Sequence, residues 1–313
     1  MPAVAGIEVR EAVHADLSQI AAVALATGQD EEWGGADPAY MTHLLEHGSV
    51  VVGVTGGSVV GFGGTHQIGS GPDAISMLCD LFVDPRLHGS GCGRAMLAEL
   101  WPGLGRRMTF SSLHGHALPL YTSFGLDAWW PLLYLSGRVS SVAAPDGWRS
   151  QAAAPAEVAA LELAWTGVDR SDDHLAWARR PGGAGRLAMR GGQVMAAATV
   201  GGAGDEYGVT HLALAPPAGA AIDAATDAKA PAIDAAAVAA AATDATDAAD
   251  AVLAVLAGLE PAGGRARVCL PGPHPAVRAL LAAGWRVTEF DLFMATEPDL
   301  LDPRRAVPSP ALA

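Results

Sequence analysis

The chain has 313 residues, half of them hydrophobic, with 19 Lys and Arg against 33 Asp and Glu, for a formal net charge of −14. That length suggests two domains of ordinary size. The acidic balance argues against nucleic acid and anionic membranes as partners. The three cysteines, Cys79, Cys92 and Cys269, lack a metal-ligand spacing, and so sparse and odd a set argues against a disulfide framework. No basic region followed by an apolar run opens the sequence, and the Ala-rich stretch is broken by Asp too often to cross a bilayer. A soluble cytoplasmic protein is expected, and oligomeric state stays open, a homodimer included.

In chain order, Ile7 to Arg10 alternates as a first strand, and His14 to Thr27 carries Leu17, Ile20, Ala21 and Leu25 near helical spacing. A polar loop with Asp30, Glu31, Glu32 and Trp33 leads to a second helix over Tyr40 to His47. Ser49 to Thr55 and Ser58 to His66 are β-rich runs on either side of Gly56-Gly57, a hairpin signal. Ala74 to Val83 reads as a long strand, Arg94 to Trp101 as a helix, Met108 to Ser111 as a strand, Ala117 to Phe124 as a short helix, and Trp129 to Leu135 as a last strand.

The second half repeats this order. Residues 50–65 resemble residues 186–201, hairpin turn on hairpin turn, and Ala117, Tyr121 and Gly125 share their spacing with Ala276, Leu280 and Gly284. Residues 139–154 read as a linker between a first domain, 1–138, and a second, 155–300. Residues 216–247 form a low-complexity Ala/Asp loop with too little apolar area to offset its ordering entropy, though Ala235 to Ala242 has helix propensity. Residues 301–313 read as an extended tail whose prolines forbid a continuous helix.

The segment LFVDPRLHGSGCGRAML, residues 81–97, is the central motif. A strand ends at Val83, Pro85 stops it, and a helix opens after Gly89, Gly91 and Gly93. Glycines let backbone N–H groups turn toward one point, and the helix adds its positive end, so a diphosphate is the natural ligand. A phosphate loop of the Gly-Lys-Ser/Thr kind is excluded because Arg94 and Ala95 follow Gly93. A dinucleotide fold needs G-x-G-x-x-G after the first strand of a βαβ unit, whereas G-x-G-x-G stands here after a meander.

Val83-Asp84-Pro85 followed by His88-Gly89-Ser90-Gly91-Cys92-Gly93, with the element order of residues 6–138, resembles the GNAT acetyltransferase superfamily. His88 stands where that family prefers Gln or Arg. The resemblance implies two α/β (α+β) domains, each a mixed, mostly antiparallel sheet flanked by helices, with acetyl-CoA as cosubstrate and no metal. By position, the main chain of Leu81, Phe82 and Val83 would take the pantetheine arm, and His88, Gly89, Ser90, Gly91, Cys92, Gly93 and Arg94 would form the diphosphate cradle. Tyr121, in register in A-x-x-x-Y-x-x-x-G-L, takes the family's general-acid position; the plainer alternative is a core ring with a bonded hydroxyl.

Asp80, where relatives carry Glu, is the candidate base, since burial in an apolar strand would raise its pKa; the alternative is a charged residue facing a polar partner. His114 and His116 could line the same cleft or serve as hydrogen-bonded structural histidines, and Asp30, Glu31, Glu32 and Trp33 could receive a cationic amine or form a solvated acidic loop. The second half has Leu280 in place of Tyr121 and no glycine cradle, so it reads as a degenerate copy. The expectation is N-acetyl transfer from acetyl-CoA to a small primary amine by direct attack in a ternary complex. A non-catalytic acyl-CoA sensor is the alternative.

Overall fold

The computed structural model describes residues 6–28, 39–103, 105–202, 207–216, 245–260 and 264–312. The first half contains β1 (Glu8–Glu11), α1 (Leu17–Ala26), α2 (Ala39–His47), β2 (Ser49–Thr55), β3 (Ser58–Ile68), β4 (Ile75–Val83), α3 (Cys92–Leu100), β5 (Arg106–Ser111), α4 (Ala117–Thr122) and β6 (Asp127–Arg138). The second half follows the same order with β7 (Trp148–Ala153), α5 (Pro155–Thr166), α6 (Ser171–Ala178), β8 (Ala184–Arg190), β9 (Gln193–Gly201), β10 (Gly208–Leu214), α7 (Ala245–Ala257), β11 (Arg265–Pro271), α8 (Pro275–Ala282) and β12 (Arg286–Ala295).

The repeat read from the sequence extends to backbone detail. Gly56 and Gly57 in one hairpin, and Gly191 and Gly192 in the other, all have positive φ, the geometry of a two-residue turn that matches strand twist. Each hairpin then carries a register shift at the same place, after Gly53 in one and after Ala188 in the other. Gly125 and Gly284 close the short helices α4 and α8, both with φ of 86°.

Two segments differ from the sequence reading. Part of the expected linker, residues 148–153, is β7, which pairs with β8 along its length. Its Trp148 is buried in the second core, and a short edge strand needs only one such anchor. The expected low-complexity loop also ends sooner than 247, because α7 begins at Ala245. There Asp247 pairs with Arg190, and Ala248, Ala251 and Val252 are buried, so small side chains suffice for close packing of the helix. The helix propensity at 235–242 lies outside the described residues.

All twelve strands form one sheet, in the order β1-β2-β3-β4-β5-β12-β6-β11-β10-β9-β8-β7. The two halves therefore exchange their last strands. β12 pairs with β5 of the first half, Leu292 on Ser111 through Ala295 on Met108. β6 reciprocally pairs with β11 of the second half, Pro271 on Leu132 through Arg265 on Arg138. The two exchanged strands pair with each other at the centre, where Phe293 stacks on Trp130 with ring centroids 4.2 Å apart. On one face α1 and α2 cover Val50, Val52 and Phe62; on the other α3 and α4 cover Val51, Leu78 and Met294.

A buried charge cluster also joins the halves. Asp173 on α6 meets His43 of α2 at 2.8 Å, His66 of β3 at 3.1 Å and Arg170 at 3.0 Å. Burial opposes charge on Asp173, yet the hydrogen bonds from His43 and His66 and the Arg170 charge override it and hold the carboxyl well below its usual range. Breaking a buried pair by removing one partner leaves the rest uncompensated. Asp173→Asn is therefore expected to cost about 3–5 kcal/mol at neutral pH. A depressed folded pKa means stability present above the unfolded carboxylate range, about pH 4, and lost as pH falls below it. Urea unfolding from pH 7 to pH 3 should show that acid loss in the parent chain, and a shallower slope in the variant.

Candidate active site

β4 and β5 run parallel and pair from Ile75 on Arg106 to Leu78 on Thr109, then stop. On its other edge β4 stays paired with β3 to Val83, but Cys79 is an extra residue between the Leu78–Thr65 and Asp80–Gly64 partners. Such a bulge bends its strand, and here the strands part just beyond it. The Asp84 N–H donates to Val60 O at 2.8 Å, across to β3. Alternation then turns the main-chain groups of Leu81 and Val83 toward the open side. His88 Nε2 lies 3.0 Å from the Val83 carbonyl there. Phe82 has its main chain toward β3 and its ring on Phe62, with centroids 5.4 Å apart. Of the three residues expected to meet a pantetheine arm through their backbone, Leu81 and Val83 present it to the gap and Phe82 does not.

The turn after β4 is held by Asp84, whose carboxylate accepts the Arg86 amide at 2.9 Å and pairs with its guanidinium. That pairing holds the Asp84 carboxyl at about 2. Gly89 and Gly91 then take φ of 79° and 86°. A Cβ at Gly89 would meet nothing within 4 Å, so backbone conformation rather than crowding calls for glycine there. Gly93 is different: its φ is not positive, and it sits near Leu120 and Val83.

The Ser90 N–H is used by Leu87 O at 3.1 Å, and the Cys92 N–H by Ser90 Oγ at 3.3 Å. Among the described residues, the N–H groups of Gly89, Gly91, Gly93 and Arg94 have no protein acceptor. They stand at the start of α3, where the helix end adds partial positive charge. Cys92 contributes packing: a Cβ on Gly53 would come within 2.6 Å of its Sγ, so that glycine lets α3 lie close on the hairpin. Burial pushes the Cys92 thiol up, away from reactivity.

Tyr121 is buried on α4 in the core with Leu97 and Met294. Its hydroxyl has no hydrogen-bond partner among the described residues, unlike a tyrosine retained only for packing. Burial, then the charges of Asp80 and Asp291, push its phenol well above the ordinary value. Asp80 accepts a hydrogen bond from Tyr40 Oη at 2.8 Å, and Asp291 one from Tyr134 Oη at 2.7 Å. Asp291 lies on the exchanged strand, so a second carboxylate near Tyr121 comes from the other half. Tyr40, Tyr134 and Asp291 were not singled out in the sequence. Tyr40 lies in an ordinary amphipathic helix, and Asp291 becomes a neighbour only through the strand exchange.

His114 and His116 gather on His88, with ring centroids 5.4 and 5.8 Å from it. All three are exposed and stand beside the glycine turn. Arg94 lies over the Phe124 ring, 5.8 Å from its centroid. Asp30, Glu31, Glu32 and Trp33 lie outside the described residues. Among the described residues, no group of three or more His, Cys, Asp or Glu is placed to hold a metal, and no helix is long and apolar enough to cross a membrane.

The second half has an equivalent gap, filled by its own chain. β10 and β11 pair only at Gly208–Arg267 and Val209–Val268. Beyond that, the Leu212 N–H donates to Val307 O at 3.1 Å, and Arg305 Nη2 donates to Ala215 O at 2.9 Å. The tail thus occupies the β10 edge that corresponds to the open edge of β4. Leu280, the counterpart of Tyr121, is fully buried. The tail continues to the first site, where Ala311 O lies 3.5 Å from Tyr40 Oη and Leu312 O accepts from Arg170 at 2.6 Å.

Residues 16–125 match the model of the acetyltransferase (GNAT) family. A putative acetyltransferase from Pyrococcus horikoshii superposes with a TM-score of 0.63 at 13% identity, covering 99% of this chain and 95% of that one. A tandem GNAT protein from the clavulanic acid biosynthesis pathway superposes at 0.57 with 14% identity, covering 95% of this chain and 100% of that one. A GCN5-related N-acetyltransferase from Kribbella flavida gives 0.56 at 13% identity, covering 92% of this chain and 70% of that one. At such identities the likeness is one of fold. A search of curated proteins found no match. Residues 16–125 form a GNAT-family domain, and the chain as a whole shares the fold of these structures.

The environment of Tyr121 has a spectroscopic consequence. The chain contains 4 tyrosines, and a titration at 295 nm up to about pH 11 should omit Tyr121. Tyr121→Phe is expected to leave that titration unchanged, and Asp291→Asn to bring the phenol down.

Proposed function

We propose that the protein is an N-acetyltransferase that passes the acetyl group of acetyl-CoA to the primary amine of a small molecule, by direct attack in a ternary complex. The observation that carries this reading is the row of unpartnered amides at Gly89, Gly91, Gly93 and Arg94, set beside a strand edge open from Cys79 to Val83. Four N–H groups turned outward at a helix start fit a diphosphate, and an open strand edge fits the amide-bearing pantetheine arm.

Bound there, acetyl-CoA supplies an activated thioester. Tyr121 keeps its proton at neutral pH and holds it at Oη for the departing sulfur. Asp80, directly or through a water, takes the proton of the attacking amine while Tyr40 orients it through the 2.8 Å hydrogen bond. Asp291 adds a second negative charge to the acceptor side, which suits a cationic amine. The tail on β10 favours one cofactor per chain, with the second half serving as wall and support. A protein that only senses acyl-CoA has no need of a buried phenol with an unbonded hydroxyl.

Calorimetry with acetyl-CoA is expected to give one site per chain, and Gly91→Val to abolish it, since a side chain at that φ is strained and intrudes on the turn. Tyr121→Phe should retain binding and lower kcat about 100-fold in an amine screen with a thiol-reactive dye. Absence of heat at millimolar ligand would remove the proposal. Binding without thiol release for any amine would favour the sensor.

A further inference from the structure

A cavity of about 320 Å³ lies between the ends of three strands and shares no residue with the glycine turn. Arg138 comes from the end of β6, Arg265 from the start of β11 and Arg286 from the start of β12, with Ser136 and the backbone of Gly284 completing the wall. Among the described residues, no Asp or Glu lines it. Among the described residues none of the three arginines forms an ion pair, in a chain with 33 acidic residues and 19 basic ones. Arg265 Nη2 donates to Ser136 Oγ at 3.2 Å, which fixes that guanidinium and leaves the Ser136 hydroxyl proton free to point into the cavity.

The internal repeat shows that the fold does not require this charge set. The register that places Gly125 on Gly284 also places Arg106 on Arg265, Glu297 on Arg138 and Asp127 on Arg286. In the first half the arginine is neutralised: Arg106 Nε lies 3.6 Å from Glu297, and Asp73 is 4.0 Å away. In the second half both acidic positions hold arginine instead. Three like charges held around one cavity repel, a cost with no return in the empty protein. A multiply charged anion removes it, and guanidinium forks match phosphate oxygens in pairs.

We propose that Arg138, Arg265, Arg286 and Ser136 form a binding site for a phosphate-bearing small anion, a diphosphate or phosphate monoester, separate from the acetyl-CoA site. Arg138 and Arg286 are exposed, and Arg265 is half-buried.

The test is calorimetric titration of the full chain with inorganic pyrophosphate in 150 mM salt, which screens a diffuse surface charge at a Debye length of about 8 Å. The parent protein is expected to show saturable binding, weakened at least tenfold by Arg138→Gln with Arg286→Gln, and abolished when Arg265→Gln is added. Both exposed substitutions should leave the melting temperature unchanged, so the double variant reads binding alone. Acetyl-CoA binding in the double variant should match the parent, which separates this site from the glycine turn. No pyrophosphate binding by the parent, or binding that the arginine substitutions leave unchanged, would overturn the proposal.

Discussion

The reciprocal pairing of β12 with β5 and of β6 with β11 is the constraint on which the rest of the structure rests. Where β5 parts from β4 beyond Leu78, it is held on its far side by β12, a strand of the other half. The exchange also sets the composition of the cleft. It brings Asp291, which accepts a hydrogen bond from Tyr134, near Tyr121, and it makes the seam, with Trp130 stacked on Phe293, a shared core instead of a contact between finished domains. Apolar burial and main-chain pairing across the same line leave neither half a complete sheet of its own.

The two halves show how one fold gains or loses a site through a few side chains. Both have a hairpin with a two-glycine turn, a strand that parts from its parallel neighbour, and a short helix closed by a left-handed glycine. In the first half the parted strand leads into four unpartnered amides, and the following short helix presents a phenol. In the second half the tail takes the strand edge through Val307, and Leu280 puts hydrocarbon where the phenol would stand. The same comparison exposes the arginine cavity, because Arg138 stands where the first half has Glu297, which pairs with Arg106, and Arg286 stands where it has Asp127.

Much of this was legible in the residues. Alternation and glycine punctuation located the strands of the first half and both hairpins, since a two-residue turn with positive φ at both positions leaves glycine as the ready choice; β7 lies in a stretch that reads as linker. The turn was legible for the same reason at Gly89 and Gly91, which take positive φ, and the spacing around Tyr121 located the short helix that buries it. The strand exchange was not, because β6 and β12 carry similar apolar and aromatic patterns, and pattern fixes which face is buried but not which neighbour is paired. Asp291 was hidden with it. Tyr40 looked like one more residue of an amphipathic helix, and Arg138 sat at the edge of an apparent linker. The tail read as extended, and its prolines agree, but its burial depends on a gap that only the assembled second half creates.

Main-chain amides that face the cofactor are central to the proposed chemistry, and amide resonances would report that contact directly. In ¹⁵N-labelled protein titrated with CoA, the account predicts the largest shift changes at Gly89, Gly91, Gly93 and Arg94, with smaller ones along Leu81 to Val83 and none along β10. Shifts confined to other surfaces, with the glycine turn unmoved at saturation, would contradict it.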